Sequence, residues 1–365
     1  MTQGPLVATA TCFVLLEMLA LGGLLSQSSW IVRFASSHIE SDQRMPSSTS
    51  SSHKFSTALL HWYDANKRQL PWRKTRSPYR IWVSEIMLQQ TRVAAVVEYY
   101  KRFLSEFPSV RALARASEQQ VLAQWSGLGY YRRARMLHAA AKQLATERLR
   151  IPRTSTELHA LPGIGRYTAA AIASIAFDEP IAVVDGNVER VLQRMEGRAV
   201  NDPWAAAQSL LDPARPGDFN QAMMELGATV CLPKNPACSA CPVSSWCKLR
   251  GEHETDKKEV RRQAAIGYRL HFENGKVTLI QRPKNARLMP GMWELPQMER
   301  ESPRTKPLLA LKHSITTTDY SVRVWRARTP ARDGSVQLSL AKASKLPLTG
   351  LTRKILNRLD LLKSR

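Results

Sequence analysis

Two carboxylates stand out by their surroundings. Glu85 lies in "WVSEIMLQQTRV", where Glu85, Gln89 and Arg92 share a helical face by i, i+4, i+7 spacing and Val83, Met87 and Leu88 supply apolar neighbours. Enclosed by such neighbours, a carboxyl rises in pKa and keeps a proton to give; left on the surface, it is an ordinary solvated glutamate. Asp185, in "PIAVVDGNVERVL", follows an apolar run and precedes Val188, Val191 and Leu192, the placement of a helix N-cap. Capping alone explains an aspartate there, yet the backbone N–H groups of a cap also favour the carboxylate form and would hold Asp185 ionised for chemistry. Asn187 either orients a neighbour or decorates the first turn. One protonated acid beside one ionised carboxylate is the division of labour used in glycosidic bond cleavage.

The second constellation is "CLPKNPACSACPVSSWC", with Cys231, Cys238, Cys241 and Cys247 spaced C-x6-C-x2-C-x5-C. Four thiolates on one short loop can close around a metal centre; spacing alone ranks tetrahedral zinc ahead of an iron-sulfur cluster, with free structural cysteines third. The chain has five cysteines in all, and the fifth, Cys12, reads as an apolar filler. Such clustering argues against a disulfide framework and for a reducing compartment.

The third is the turn in "LPGIGRYTAAAIASIAF" (161–177). Gly163 and Gly165 permit positive φ and close backbone approach, so the turn could aim its N–H groups and the dipole of the following helix at a phosphate. With "TSTELHA" helical before it, the unit is a helix-hairpin-helix; by itself it equally fits an ordinary αα turn, with Tyr167 as core packing.

The elements that must hold these groups follow from pattern. Between Phe55 and about Arg250 apolar residues recur at three and four spacing with no convincing strand, whereas "IGYRLHFENGKVTLIQRP" alternates and carries an Asn274-Gly275 hairpin turn. With "YSVRVWRART" (320–329) and a final helix in "LTRKILNRLDLLKS", the C-terminal stretch reads as a small α+β module. The expected division of the 365 residues is an N-terminal extension over 1–53, a helical domain over 54–250, a charged linker over 251–263 and a second domain over 264–365. The extension is apolar from Leu6 to Leu25 but carries Glu17, and a serine-rich stretch from Met45 to Lys54 reads as a flexible join with Met45 as a plausible internal start. A dispensable extension is the preferred reading and a membrane anchor the minor one. A net charge of +23, from 53 Lys and Arg against 30 Asp and Glu, points to a polyanionic partner.

Taken together, "LPWRKTRSPYRIWVSEIMLQQTRV", "WSGLGYYRRARML", "LPGIGRYTAAAIASIAF", "VVDGNVERVL" and the cysteine loop resemble the helix-hairpin-helix DNA glycosylases with an iron-sulfur loop, and within them the adenine DNA glycosylases of the MutY type. The resemblance runs from Phe55 to nearly the C-terminus. It implies a mainly α fold, an all-helical glycosylase domain with an iron-sulfur loop followed by a small α+β Nudix-like domain. It also replaces zinc by a 4Fe-4S cluster on Cys231, Cys238, Cys241 and Cys247.

Position by position, Asp185 matches the aspartate that stabilises the oxocarbenium-like sugar and Glu85 the glutamate that protonates adenine at N7. Asn187 matches the asparagine that assists the aspartate, and Tyr167 stands where glycosylase-lyases of the endonuclease III type carry a lysine nucleophile. Gln90 and Tyr130 match residues inserted into the duplex beside the lesion, with Gln89, Gly163, Gly165 and Arg166 as further DNA contacts. The Nudix-like module lacks the glutamate run that would hold magnesium, so recognition and not hydrolysis is expected of it. Where the family reads 8-oxoguanine with a Phe-Ser-His loop, this chain has "HSITTTDY" (313–320), which makes Ile315 the expected wedge and Thr316 or Thr317 the polar contact.

The expected activity is thus monofunctional removal of adenine opposite 8-oxoguanine, or guanine, from double-stranded DNA, by a monomer in the cytoplasm at the nucleoid. The rival readings are a bifunctional glycosylase-lyase and a non-catalytic DNA-binding iron-sulfur protein.

Overall fold

The computed structural model describes residues 48–146, 150–251, 261–298, 305–315, 317–331 and 334–362. The helices of the first part are α1 (Ser48–Asn66), α2 (Pro78–Leu88), α3 (Val93–Glu106), α4 (Val110–Arg115), α5 (Glu118–Trp125), α6 (Arg132–Thr146), α7 (Ser155–His159), α8 (Arg166–Phe177), α9 (Gly186–Glu196), α10 (Pro203–Leu210) and α11 (Pro216–Thr229). Their starts are set by local chemistry. Ser109, Ser117, Thr154, Asp185 and Asp202 each accept backbone N–H bonds at the heads of α4, α5, α7, α9 and α10, and Pro78, Pro203 and Pro216 stand at helix starts where a missing N–H costs nothing. The serine-rich stretch expected as a flexible join is helical from Ser48, because it continues directly into the apolar face of α1. The apolar 6–25 stretch lies outside the described residues, among which no helix is long and apolar enough to cross a membrane.

These helices form two cores. One gathers α2, α3, α5, α6 and α8 around Trp82, Phe103, Trp125, Leu137 and Ile172. The other gathers α1, α9, α10 and α11 around Phe55, Leu59, Tyr63, Val188, Leu192 and Phe219, with Cys231, Cys241 and Trp246 packed against it. The cysteine loop therefore belongs to the second core.

The strands follow: β1 (Arg262–Leu270), β2 (Phe272–Glu273), β3 (Lys276–Gln281), β4 (Trp293–Glu294), β5 (Gln297–Met298), β6 (Leu309–Ile315), β7 (Thr318–Arg326) and β8 (Ser335–Ser339), then α12 (Leu340–Ser344) and α13 (Gly350–Arg358). One sheet has the order β5-β1-β7-β6 with β1 and β7 parallel, and the other has β3 between β8 on one side and β2 and β4 on the other. The Asn274-Gly275 turn forms as expected, both residues at positive φ (49° and 71°), which matches the strand twist of a two-residue hairpin. The fold class read from sequence is the one observed: a helical helix-hairpin-helix part followed by α+β.

The two parts pack as one compact unit. Their seam is polar and buried: the Ser126 hydroxyl donates to the Leu348 carbonyl (2.6 Å) and accepts from Arg353 Nε (3.0 Å), and Tyr131 OH reaches the same carbonyl at 3.4 Å. Arg135 adds a bond to the Pro290 carbonyl at 2.6 Å.

Candidate active site

A cleft of about 2060 Å³ opens between the two helical cores and extends under the strand-bearing part. Glu85, Gln89, Gln90, Tyr130, Gly163, Gly165, Arg166, Tyr167, Asp185, Asn187 and Ile315 all line it, so residues 230 positions apart meet at one surface. One expectation fails: Arg92 does not share a helical face with Glu85 and Gln89, because α2 ends at Leu88 and Arg92 is the N-cap of a new helix. Thr317, a candidate lesion contact, precedes β7 with its carbonyl bonded to Arg262 N and is not among the residues lining the cleft. Thr316 lies outside the described residues. His313 and Ser314, immediately before Ile315 in β6, also line the cleft.

Glu85 sits on α2, flanked by the buried Ile81, Trp82, Ile86 and Met87, and is itself 5 % exposed. Burial pushes its carboxyl up to about 7, against the pull of a hydrogen bond from Tyr167, with the negative charge of Asp185 adding to the rise and Arg73 opposing it. The Tyr167 hydroxyl donates to Glu85 Oε2 at 2.8 Å and lies 3.3 Å from Met224 Sδ. Burial and the two carboxylates drive the Tyr167 hydroxyl well above the usual phenol range, so it serves as a donor.

Asp185 is built differently. Its Oδ1 accepts from Asn187 N (2.9 Å) and Val188 N (2.8 Å), and its Oδ2 accepts from Asn187 Nδ2 (2.8 Å). Asn187 in turn accepts at Oδ1 from Arg190 Nη2 (2.9 Å), which also donates to the Gly227 carbonyl (2.7 Å). A side chain at Gly227 would place its Cβ 2.6 Å from Asn187 Cβ, so only glycine lets α11 lie this close to the head of α9.

In the hairpin, Gly163 has φ 74° and its missing Cβ would collide with Met136 at 2.3 Å, so the turn requires glycine there. Gly165 differs from expectation: with φ −84° it needs no left-handed freedom, and it is an N-cap with no side-chain cap bond, where an added Cβ would meet nothing within 4 Å. Arg166 stacks over Trp204 at 3.9 Å. Gln89 donates to Thr168 Oγ1 (3.1 Å), while Gln90 (φ 54°) and Tyr130 (φ 48°, 46 % exposed) are left-handed loop tips, a conformation that costs non-glycine residues ~1–2 kcal/mol each.

Sequence reasoning missed one acid at the cleft and the arginines that hold it. Glu225, 1 % exposed on α11, takes Arg68 Nε and Nη2 at 2.7 and 2.6 Å and Arg73 Nη2 at 2.8 Å. Although burial pulls it upward, these guanidinium bonds bring its carboxyl down to about 2. The signal was an acid inside the otherwise apolar "AMMELGATV".

Cys231, Cys238, Cys241 and Cys247 are unbridged and line one small hollow with Arg194, Pro236, Ser244 and Arg250. Four thiols lining one hollow are a donor set that an iron-sulfur cluster can use. Arg194 Nη1 donates to Cys231 Sγ (3.1 Å), the kind of N–H···S contact that thiolate ligands of a cluster accept.

Comparison with known proteins gives the class first. Residues 83–216 match the HhH-GPD superfamily base excision DNA repair proteins, and residues 231–247 match the iron-sulfur binding domain of endonuclease III. A solved thermostable thymine-DNA glycosylase is 28 % identical with a TM-score of 0.52, over 56 % of this chain and 98 % of that one. The chain therefore carries a helix-hairpin-helix base excision repair domain with an endonuclease III-type 4Fe-4S loop, and zinc, first by spacing alone, is displaced.

Within that class the likeness is to adenine DNA glycosylases. The rat enzyme is 53 % identical over 53 % of this chain and 41 % of its own length; the Arabidopsis thaliana enzyme is 41 % identical over 67 % and 47 %. The human enzyme is 50 % identical over 56 % and 40 %. The chain spans about half the length of the curated relatives it matches.

Proposed function

We propose that the chain removes adenine mispaired with 8-oxoguanine, and with guanine, from double-stranded DNA by hydrolysing the N-glycosidic bond without cutting the strand. The observation that carries this reading is the pairing of Glu85, buried at a pKa of about 7, with the capped Asp185 in one cleft. A carboxyl titrating at about 7 holds a proton for the leaving base at neutral pH, and Glu85 gives it to adenine N7. The electron pair of the breaking bond leaves with the base, and Asp185, oriented by Asn187, faces the cationic sugar; a water then bonds to the anomeric carbon and gives its proton to Glu85, by that point a carboxylate, which restores the acid. Tyr167 fixes the Glu85 carboxyl by its hydrogen bond and offers no amine for a Schiff base; among the described residues the lysine lining the cleft is Lys354, on α13.

Gln90 and Tyr130 enter the duplex where adenine leaves the stack, the Gly163–Gly165 turn and Arg166 grip phosphate, and Ile315 faces the opposite base. The net charge of +23 supplies non-specific attraction to the duplex. The iron-sulfur cluster, held by the four cysteines, ties the loop after α11 to the second core. The chain acts as a monomer at the nucleoid.

The deciding measurement is single-turnover base release from an adenine:8-oxoguanine duplex against thymine:8-oxoguanine and cytosine:8-oxoguanine controls. Adenine-specific release with no borohydride-trapped adduct is the expected result; strong trapping would select the lyase reading, and no release would select the non-catalytic one.

A further inference from the structure

The tips Gln90 and Tyr130 sit on loops 40 residues apart, and both adopt left-handed backbone conformations that glutamine and tyrosine avoid when free to choose. One side chain touches both loops. Arg133, in the first turn of α6, donates Nη1 to the carbonyls of Ile86 (2.9 Å) and Met87 (3.0 Å) and also to that of Gln89. Its Nη2 reaches Thr91 Oγ1 (3.1 Å), bracketing Gln90 on the far side, and the Gly129 carbonyl (3.3 Å), immediately before Tyr130. Its guanidinium plane lies over the rings of Trp125 (5.5 Å) and Tyr130 (5.3 Å).

The arrangement is more than a helix cap. A C-terminal cap of α2 needs only the bonds to Ile86, Met87 and Gln89; the bonds to Thr91 and Gly129 and the stacking on Tyr130 serve the second loop. Lysine could replace the charge but not the planar fork, which reaches two loops at once only because its donors diverge. We infer that Arg133 is a positioning residue that clamps the Gln90 and Tyr130 loops to each other, so that both tips meet the duplex as one preformed wedge. Its effect on base extrusion rests on the function proposed above.

The test uses the full-length holoprotein as wild type, Arg133→Lys and Thr91→Val. In the free protein, hydrogen exchange at the Thr91 and Leu128 amides should accelerate together in Arg133→Lys, and at Thr91 alone in Thr91→Val. On a duplex carrying 2-aminopurine opposite 8-oxoguanine, the fluorescence rise on extrusion should slow about tenfold in Arg133→Lys, as expected when positioning groups shift by a fraction of an ångström. Affinity for an undamaged duplex, the visible absorbance of the cluster and the pH midpoint of base release should stay at wild-type values, which a merely destabilised protein would not do. Loosening of one loop only, or loosening of both with unchanged extrusion, overturns the inference. Failure of the wild type to release adenine overturns the functional reading alone, since the exchange measurement still decides whether Arg133 couples the loops.

Discussion

The end of α2 and the head of α9 each present one carboxylate to the same cleft, and they treat it in opposite ways. At α2 the side chain is walled by apolar neighbours and given a single hydrogen bond, so Glu85 climbs to about 7. At α9 three N–H groups point at Asp185, two from the backbone and one from Asn187, and a second layer through Arg190 holds Asn187 itself. Two similar side chains acquire different chemistry because one site withholds donors and the other supplies them.

The sharpest way to break this contrast is Asp185→Asn, which keeps the shape and removes the charge. Single-turnover adenine release should fall by about 10³-fold or more, as when a charge aimed at the transition state is lost, with duplex affinity retained. Next is Glu85→Gln, expected to cost about 10²-fold or more and to abolish the pH dependence of release, which in the wild type should decline as pH rises through about 7.

The same variant tests the stability side. A carboxyl whose folded pKa lies above its unfolded value contributes fully below the unfolded pKa and loses that contribution as pH rises through the folded one. Glu85→Gln should therefore melt above the wild type at pH 8, with the advantage fading toward pH 5. Tyr167→Phe is a finer cut. The lost hydrogen bond had lowered the pKa of Glu85 and fixed its carboxyl, so the midpoint of the pH–rate profile should move above about 7 and the low-pH rate should fall about tenfold, less than in Glu85→Gln.

The smallest expected effect lies away from both carboxylates. Ser126→Ala should cost about 1–2 kcal/mol in thermal unfolding by removing two buried hydrogen bonds, to the Leu348 carbonyl and from Arg353 Nε, with both pH midpoint and trapping behaviour unchanged.

The same contrast explains what could be read in advance. Asp185 was legible because capping is local: the apolar run before it and the spacing after it carry the signal. Glu85 was legible only on condition that its face is enclosed, and the enclosing side chains come from helices distant in sequence. The break after Leu88 was hidden, since "SEIMLQQTRVAAVV" keeps helical spacing through it; what fixes the break includes Arg133, more than forty residues on. Glu225 and its two arginines were invisible for the same reason, being a contact across about 150 residues. In β6 the consecutive His313, Ser314 and Ile315 all reach the cleft, so it is the end of the strand that meets it and not one alternating face, which residue spacing does not reveal.

The buried seam at Ser126 has a consequence for how the molecule comes apart. The carbonyl that Ser126 and Tyr131 bind belongs to Leu348, near the C-terminus, while the loop they occupy carries Tyr130 at the cleft. Removing the strand-bearing part would strip partners from the very loop that shapes the helical cleft, so the two halves share the burden of holding that loop. A protease nick in the strand-bearing part would be felt at Tyr130, and the two halves should melt as one calorimetric event.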